Sequence, residues 1–378
     1  MRARVYGHHR EPSLPTVESS GKVWHVSARF ALIIFLLVST IPARAGANFD
    51  LVTAPGGITL TQVGNNYIAS FGTMNALGIG TPAAGVTVIQ LSNGSLYLTS
   101  YTLFVHGGLA AGQTGFVTAY ASTNFAHPVA LVLQSCPSSS SCNGATQFSN
   151  LSTNVGAQTT VIAPPGIVKG ATVNAGLAIF VPDNNGGNAF NGTDQAVISF
   201  TMINNNTGAT IETLTLSLNN PRETLQSAVS FTLASATGGL SITPSADYAM
   251  NFGNVNGLGF GPGAGLTVSA TAGGVIYSTP YLLQPAFSDQ SSTTATLKTF
   301  VSTNFAHPAV LGLRDSASST GPFTTIGTSP GGAVVISSTA ANRSTITRFL
   351  GLFVSNANGA TAFAGSDAAT LTFTMTVP

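Results

Sequence analysis

The chain has 378 residues, 44% hydrophobic and only 6% charged, with 42 glycines; an ordinary globular protein is roughly 25% charged. Six of its 12 basic residues (Arg2, Arg4, Arg10, Lys22, Arg29 and Arg44) but only Glu11 and Glu18 of its 11 acidic ones lie in the first 45 positions. Six basic against nine acidic residues then remain, a net charge of −3 that excludes a protein tracking a phosphate backbone and leaves few groups for acid–base chemistry.

In chain order, the first feature is Phe30–Val38, an uninterrupted apolar run. It is too short to span a bilayer, which takes about 20 residues. Basic residues precede it and Ala43-Arg44-Ala45 follows it. This pattern reads as a secretory signal peptide, residues 1–45, cleaved after Ala45. The charged stretch before the run is long for such a leader, and a translation start nearer Val23 would shorten it. No later run approaches membrane length, so the cleaved chain carries no membrane span.

Beyond the leader, one unit occurs twice. Ser122–Pro128 (STNFAHP) returns as Ser302–Pro308, an offset of 180. Phe49–Gly57 matches Phe231–Gly239, Phe71–Asn75 matches Phe252–Asn256, and Tyr97 and Tyr101 match Tyr277 and Tyr281. Gly192–Met202 pairs with Gly365–Met375 at an offset of 173, so the first copy holds seven extra residues, assigned in part to the Cys136–Cys142 loop. The divisions are 46–202 for the first repeat, 203–230 for a connector with one strand over Thr213–Leu218, and 231–378 for the second repeat.

Val197–Met202, Thr213–Leu218 and Leu371–Val377 alternate apolar residues with Thr or Ser, the period of a half-buried strand. Val86–Leu91 and Ala295–Val301 do so less cleanly. Gly, Asn, Ser and Pro clusters separate the runs. Helical periodicity is confined to Arg222–Ser230. The expected fold is all-β, two tandem Ig-like or Greek-key β-sandwiches. The glycine-rich stretches Ala76–Gly80 and Gly257–Gly263 do not fit G-x-G-x-x-G and read as loops that need positive φ.

The candidate chemistry is sparse. Cys136 and Cys142 are the only cysteines, and in an exported chain they are expected to form a structural disulfide. His127 and His307 occupy equivalent positions without a local second metal ligand, so they read as turn histidines. Pro182–Asp194 is oxygen-rich, which makes Asp183 and Asp194 weak Ca²⁺ candidates; the loop fails the EF-hand pattern. Tyr97, Tyr101, Tyr277 and Tyr281 are weak ligand-binding candidates as sugar platforms, against the alternative that they are core. No catalytic motif and no cofactor signature is present.

Phe71–Asn75 and Phe252–Asn256, with Gly192–Met202 and Gly365–Val377, resemble the spore coat protein U and fimbrial-subunit-like domains of bacteria. The resemblance implies secreted Ig-like sandwiches exported by chaperone–usher routes, whose subunits assemble by strand donation. This chain departs from that pattern in carrying two units and in lacking cysteines in the second. The expected function is a non-enzymatic, secreted or cell-surface structural or adhesive protein, a subunit of a surface appendage or coat. A glycan-binding surface module is the alternative, and a hydrolase with a dispersed site comes third. Expected partners are further copies or other surface proteins, and glycans; nucleic acid is not among them. The expected location is extracellular, cell-surface or periplasmic.

Overall fold

The computed structural model describes residues 2–6, 48–138, 142–244, 247–356 and 362–378. The apolar run Phe30–Val38, the triplet Ala43–Ala45 and the proposed cleavage point lie outside the described residues. Described residues form β-strands joined by turns; three single-turn 3₁₀ segments, Ala145–Gln147, Gly186–Asn188 and Pro330–Gly332, are the helical elements among them. The helical reading of Arg222–Ser230 is corrected. One strand runs Thr210–Leu225 and the next starts at Ala228, because pairing with Gly192–Asp194 overrides the local propensity of Arg, Glu and Leu.

The strands make four sheets. In the first unit one sheet runs Ser149–Asn150, Val132–Cys136, Thr172–Pro182, Gly94–Val105, Phe49–Thr53, with Thr87–Leu91 also pairing to Gly94–Val105. Its facing sheet runs Thr159–Ile167, Gly115–Thr123, Gly192–Asn204, Thr210–Leu225, Asn66–Ala69, Thr61–Val63. Alternate residues of both sheets meet in one core that includes Phe49, Tyr67, Leu103, Val117, Ile179, Ile198, Phe200 and Leu216, all 3% exposed or less. Each such bulky side chain contributes roughly 1.5–3 kcal/mol through burial.

The second unit repeats this order. One sheet runs Ala228–Ser235, Gly274–Ser288, Ile346–Ser355, Leu311–Ser316, Thr324–Thr325. Residues Leu233 to Phe373 supply its own core. The offset between equivalent strand pairs drops within the stretch that holds the disulfide. Ser135 pairs with Ser149, and its equivalent Asp315 pairs with Thr324, so the offset falls there from 180 to 175. The Cys136–Cys142 disulfide is formed, and its two cysteines pack with a small outer cluster of Leu96, Leu98, Phe148 and Ala178.

Candidate functional site: an acceptor groove in the second unit

The two units differ at one position in one sheet. In the first unit the connector strand Thr210–Leu225 lies between Gly192–Asn204, to which it is antiparallel, and Asn66–Ala69, to which it is parallel. Leu214, Leu216 and Leu218 fall opposite Phe200, Ile198 and Ala196, and each is 1% exposed or less. In the second unit the order is Ile242–Thr243, Tyr248–Asn251, then Arg2–Tyr6, then Ala368–Thr376, Thr294–Thr303, Val334–Ala341. The strand Arg2–Tyr6 occupies the connector's place, parallel to Tyr248–Asn251 and antiparallel to Ala368–Thr376. Ala3 stands opposite Leu371 and Tyr248, where the first unit has Leu216 opposite Ile198 and Tyr67. Val5 takes the register position of Leu218.

The replacement is shorter than what it replaces. The connector strand has 16 residues and Arg2–Tyr6 five. Leu214 faces Phe200; in the second unit the described strand begins at Arg2, opposite Thr372, one residue short of Phe373. A small apolar cavity of about 20 Å3 sits there, lined by Tyr248, Met250, Tyr281, Leu350, Leu371 and Phe373. Met202 is fully buried, whereas its counterpart Met375 is half-buried.

At the other end the described pairing of this strand reaches Tyr6, opposite Ala368. The connector strand continues past that point. Glu223, Thr224 and Leu225 pair with Asp194, Thr193 and Gly192, while Thr224 and Leu225 also pair with Thr73 and Met74. In the second unit the equivalent ground is an open pocket of about 630 Å3, lined by Phe252, Asn254, Val255, Leu258, Phe363, Gly365 and Asp367 among others. Leu77 is 6% exposed in the first unit; its counterpart Leu258 is 68% exposed.

The residues singled out from the sequence fall elsewhere. Tyr97, Tyr101, Tyr277 and Tyr281 are 0–2% exposed, which corrects their candidacy as ligand platforms: they are core. The Tyr97 hydroxyl donates to the Asn75 carbonyl and accepts from its N–H, both at 2.9 Å, and Tyr277 repeats this with Asn256. Those asparagines, the last residue of Phe-Gly-x-x-Asn, also accept from two N–H groups ahead of them, Leu77 and Ile79 or Leu258 and Phe260. The loops turn on positive φ at Gly78, Gly259 and Gly261, as glycine allows. The Tyr281 hydroxyl donates to Asp315, which pairs with Arg348; burial and the Asp315 charge push that phenol well above its ordinary value.

Asp183 and Asp194 do not converge. Asp183 pairs with Arg343 of the second unit. Asp194 accepts from the Ala126 and His127 N–H groups and from Gln195 N–H, and lies 3.0 Å from His127 Nδ1. The His127 ring stacks on Phe190 at 3.7 Å. Asp367, His307 and Phe363 repeat this clasp in the second unit. The repeated histidines therefore bind a carboxylate as well as forming their turns. Burial acts to raise the Asp194 and Asp367 carboxyls, and the N–H and histidine bonds outweigh it, leaving both below the ordinary value. Among the described residues no group of three His, Cys, Asp or Glu side chains is placed to hold a metal.

The units meet through backbone pairing of Asn184–Gly186 with Asp289 and Gln290, and through Arg343, which donates to the Ala76 carbonyl as well as to Asp183. Asp289, 6% exposed, is pushed up to about 7 by burial and, in smaller part, by the Asp183 charge. Sequence reading did not single out Asp289, and no motif surrounds it.

No protein-family model matches this chain, and no curated protein matches it. Solved structures with a similar arrangement include the CupB6 tip adhesin from Pseudomonas aeruginosa, at 8% identity and TM-score 0.28 over 88% of this chain and 94% of that one. The chaperone–tip adhesin complex of CFA/I fimbriae follows at 12% identity and TM-score 0.24 over 87% and 84%. The secreted serine protease VesC from Vibrio cholerae is matched at 10% identity and TM-score 0.15 over 76% and 50%. Likenesses this distant are of β-architecture alone. The functional reading rests on the chain's own geometry.

Proposed function

We propose that this is an exported, non-enzymatic surface protein, structural or adhesive, held in a larger assembly through its second unit, which accepts a β-strand from outside itself. One observation carries the reading: Arg2–Tyr6 fills in the second unit the place that the connector strand fills in the first. Those residues belong to the proposed leader, so cleavage after Ala45 takes them away; a start at Val23 would omit them altogether. The Tyr248–Asn251 and Ala368–Thr376 strands then present two unpaired edges facing one another over an apolar floor, which is a costly arrangement for a lone molecule and a suitable one for β-augmentation. The first unit, complete through its own connector, is the part free to make adhesive or structural contacts. Antibody to the folded body should label the outside of intact source cells, with label on appendage or coat material in electron microscopy. Retention of the whole chain in the cytoplasm would overturn the reading.

A further inference from the structure

The junction of the two units buries a carboxyl group that packing does not require. Asp289 follows the strand Gly274–Ser288, and the repeat offset of 180 sets it against Leu109 of the first unit. Both residues are 6% exposed. A leucine so placed is ordinary core, whereas a carboxyl must be paired, neutral or costly. Asp289 has little to pair with. Its Oδ1 accepts from the Phe190 N–H at 3.5 Å, and its Oδ2 has no hydrogen-bond partner among the described residues. No ion pair among them joins it to a cation. Its cover comes in part from the first unit. The Asp289 N–H donates to the Asn184 carbonyl, the Gly186 N–H to the Gln290 carbonyl, and the Gln290 N–H to Asn185 Oδ1. Residues 285–290 also anchor the second tie across the junction. The Arg343 N–H donates to the Pro285 carbonyl and Asn342 Oδ1 accepts from the Phe287 N–H, while the Arg343 guanidinium crosses to Asp183 and to the Ala76 carbonyl.

The charged and titratable groups around Asp289 are few. Asp183 comes from the first unit and is held by Arg343 of the second. Behind Phe190 stands His127, stacked on that ring and bonded to Asp194. Along its own chain, Ser291 donates to the oxygen of Pro378 at 2.6 Å. Of these, Asp183 acts on the Asp289 charge, and it repels it. Burial is the larger influence and holds the carboxyl up at about 7. We propose that the junction is a proton-operated latch: with Asp289 protonated, residues 184–190 of the first unit close over it, and with Asp289 ionised the two units part there. Ionised, the carboxylate needs a cation or water. The nearby guanidinium is engaged by Asp183, so water enters, the proton passes to solvent, and the ties between 184–186 and 289–290 give way. The closed state binds this proton more tightly than the open one. The ratio of open to closed molecules therefore rises about tenfold per pH unit from about 4 to about 7 and is level above that. The latch lies apart from the groove of the second unit and does not depend on what fills it.

The test is single-molecule energy transfer on the exported, processed chain, with dyes attached through Val155→Cys and Val335→Cys, exposed positions of the first and second units. The separated population should grow roughly tenfold per pH unit from about 4 to about 7 and then level off. Asp289→Asn has no proton to lose and keeps the left-handed backbone of this position, φ 55°, which asparagine adopts readily. It should hold the separated population at its acid level throughout. His127→Gln should leave the profile of the unsubstituted protein unchanged. In that unsubstituted protein the side-chain carboxyl carbon of Asp289 should titrate near pH 7 by nuclear magnetic resonance. A flat energy-transfer profile overturns the latch, as does one that survives in Asp289→Asn or disappears in His127→Gln. Titration of Asp289 near the ordinary value of about 4 overturns it even if Asp289→Asn fails to fold.

Discussion

The first and second units are built to one plan and reach different degrees of closure. In the first, Phe200 and Ile198 lie opposite Leu214 and Leu216 and Met202 lies opposite Glu212, and all three wall residues are 1% exposed or less. In the second, the same wall is Met375, Phe373 and Leu371; it faces the five-residue strand Arg2–Tyr6, a small cavity and an open pocket. The difference lies in where the third strand of one sheet, counted from Thr61–Val63 or Ile242–Thr243, is obtained rather than in the wall itself, whose residues stay apolar. A sheet that keeps an apolar wall without a matching strand of its own is suited to receive one.

Matched substitutions in the two walls sharpen that contrast most. Ile198→Ala, under Leu216, should destabilise the first unit by about 2–5 kcal/mol, as large-to-small changes in closed cores do. Leu371→Ala in the processed chain, beside a groove already open, should cost less than half as much; the check is denaturant unfolding of each variant. Equal costs would mean that the second wall is as well covered as the first. Removing the disulfide with Cys136→Ser and Cys142→Ser touches the first unit alone and should lower its stability by about 2–3 kcal/mol on the loop-entropy account. A shift in the unfolding of the second unit would show the units to be coupled.

The paired clasps give a smaller and more symmetric effect. Asp194→Ala leaves the N–H groups of Ala126, His127 and Gln195 without their acceptor and should cost roughly 1–3 kcal/mol. Asp367→Ala, in a less buried setting, should cost less. Because both carboxyls titrate below their ordinary value, the stability they supply is present above about pH 4 and is lost as pH falls through their folded values. Asp289 behaves oppositely. Its folded value of about 7 exceeds the ordinary one, so its contribution is full below about pH 4 and is lost as pH rises through 7. Proteolysis at the junction should therefore quicken as pH rises from about 4 to about 7 and level off above that, and Asp289→Asn should flatten that dependence.

Much of the fold was legible in the sequence because strands announce themselves locally. Thr213–Leu218 alternates cleanly and is the inner part of the connector strand. Arg222–Ser230 misled because helix-forming residues there are held extended by partners some 30 residues earlier, a pairing that no local window contains. The clasp was visible only as halves. Ser122–Pro128 and Gly192-Thr193-Asp194 each stood out as repeats, yet His127 and Asp194 are 67 positions apart and a single sequence gives no means of joining them. The tyrosines had aromatic bulk that suits a platform or a core equally, and burial decides for the core. The groove was the least legible feature, since it is defined by which strand lies between Tyr248–Asn251 and Ala368–Thr376, and that strand comes from the far end of the chain.

Backbone hydrogen exchange on the exported, processed chain tests the central claim most directly. Opening of unpaired edges exposes amides that a closed sheet protects. The amides of Tyr248–Asn251 and Ala368–Thr376 should exchange much faster than their counterparts in Asn66–Ala69 and Gly192–Asn204, and should slow when the Thr210–Leu225 peptide is added. Equal protection in the two units without any added strand would contradict the account.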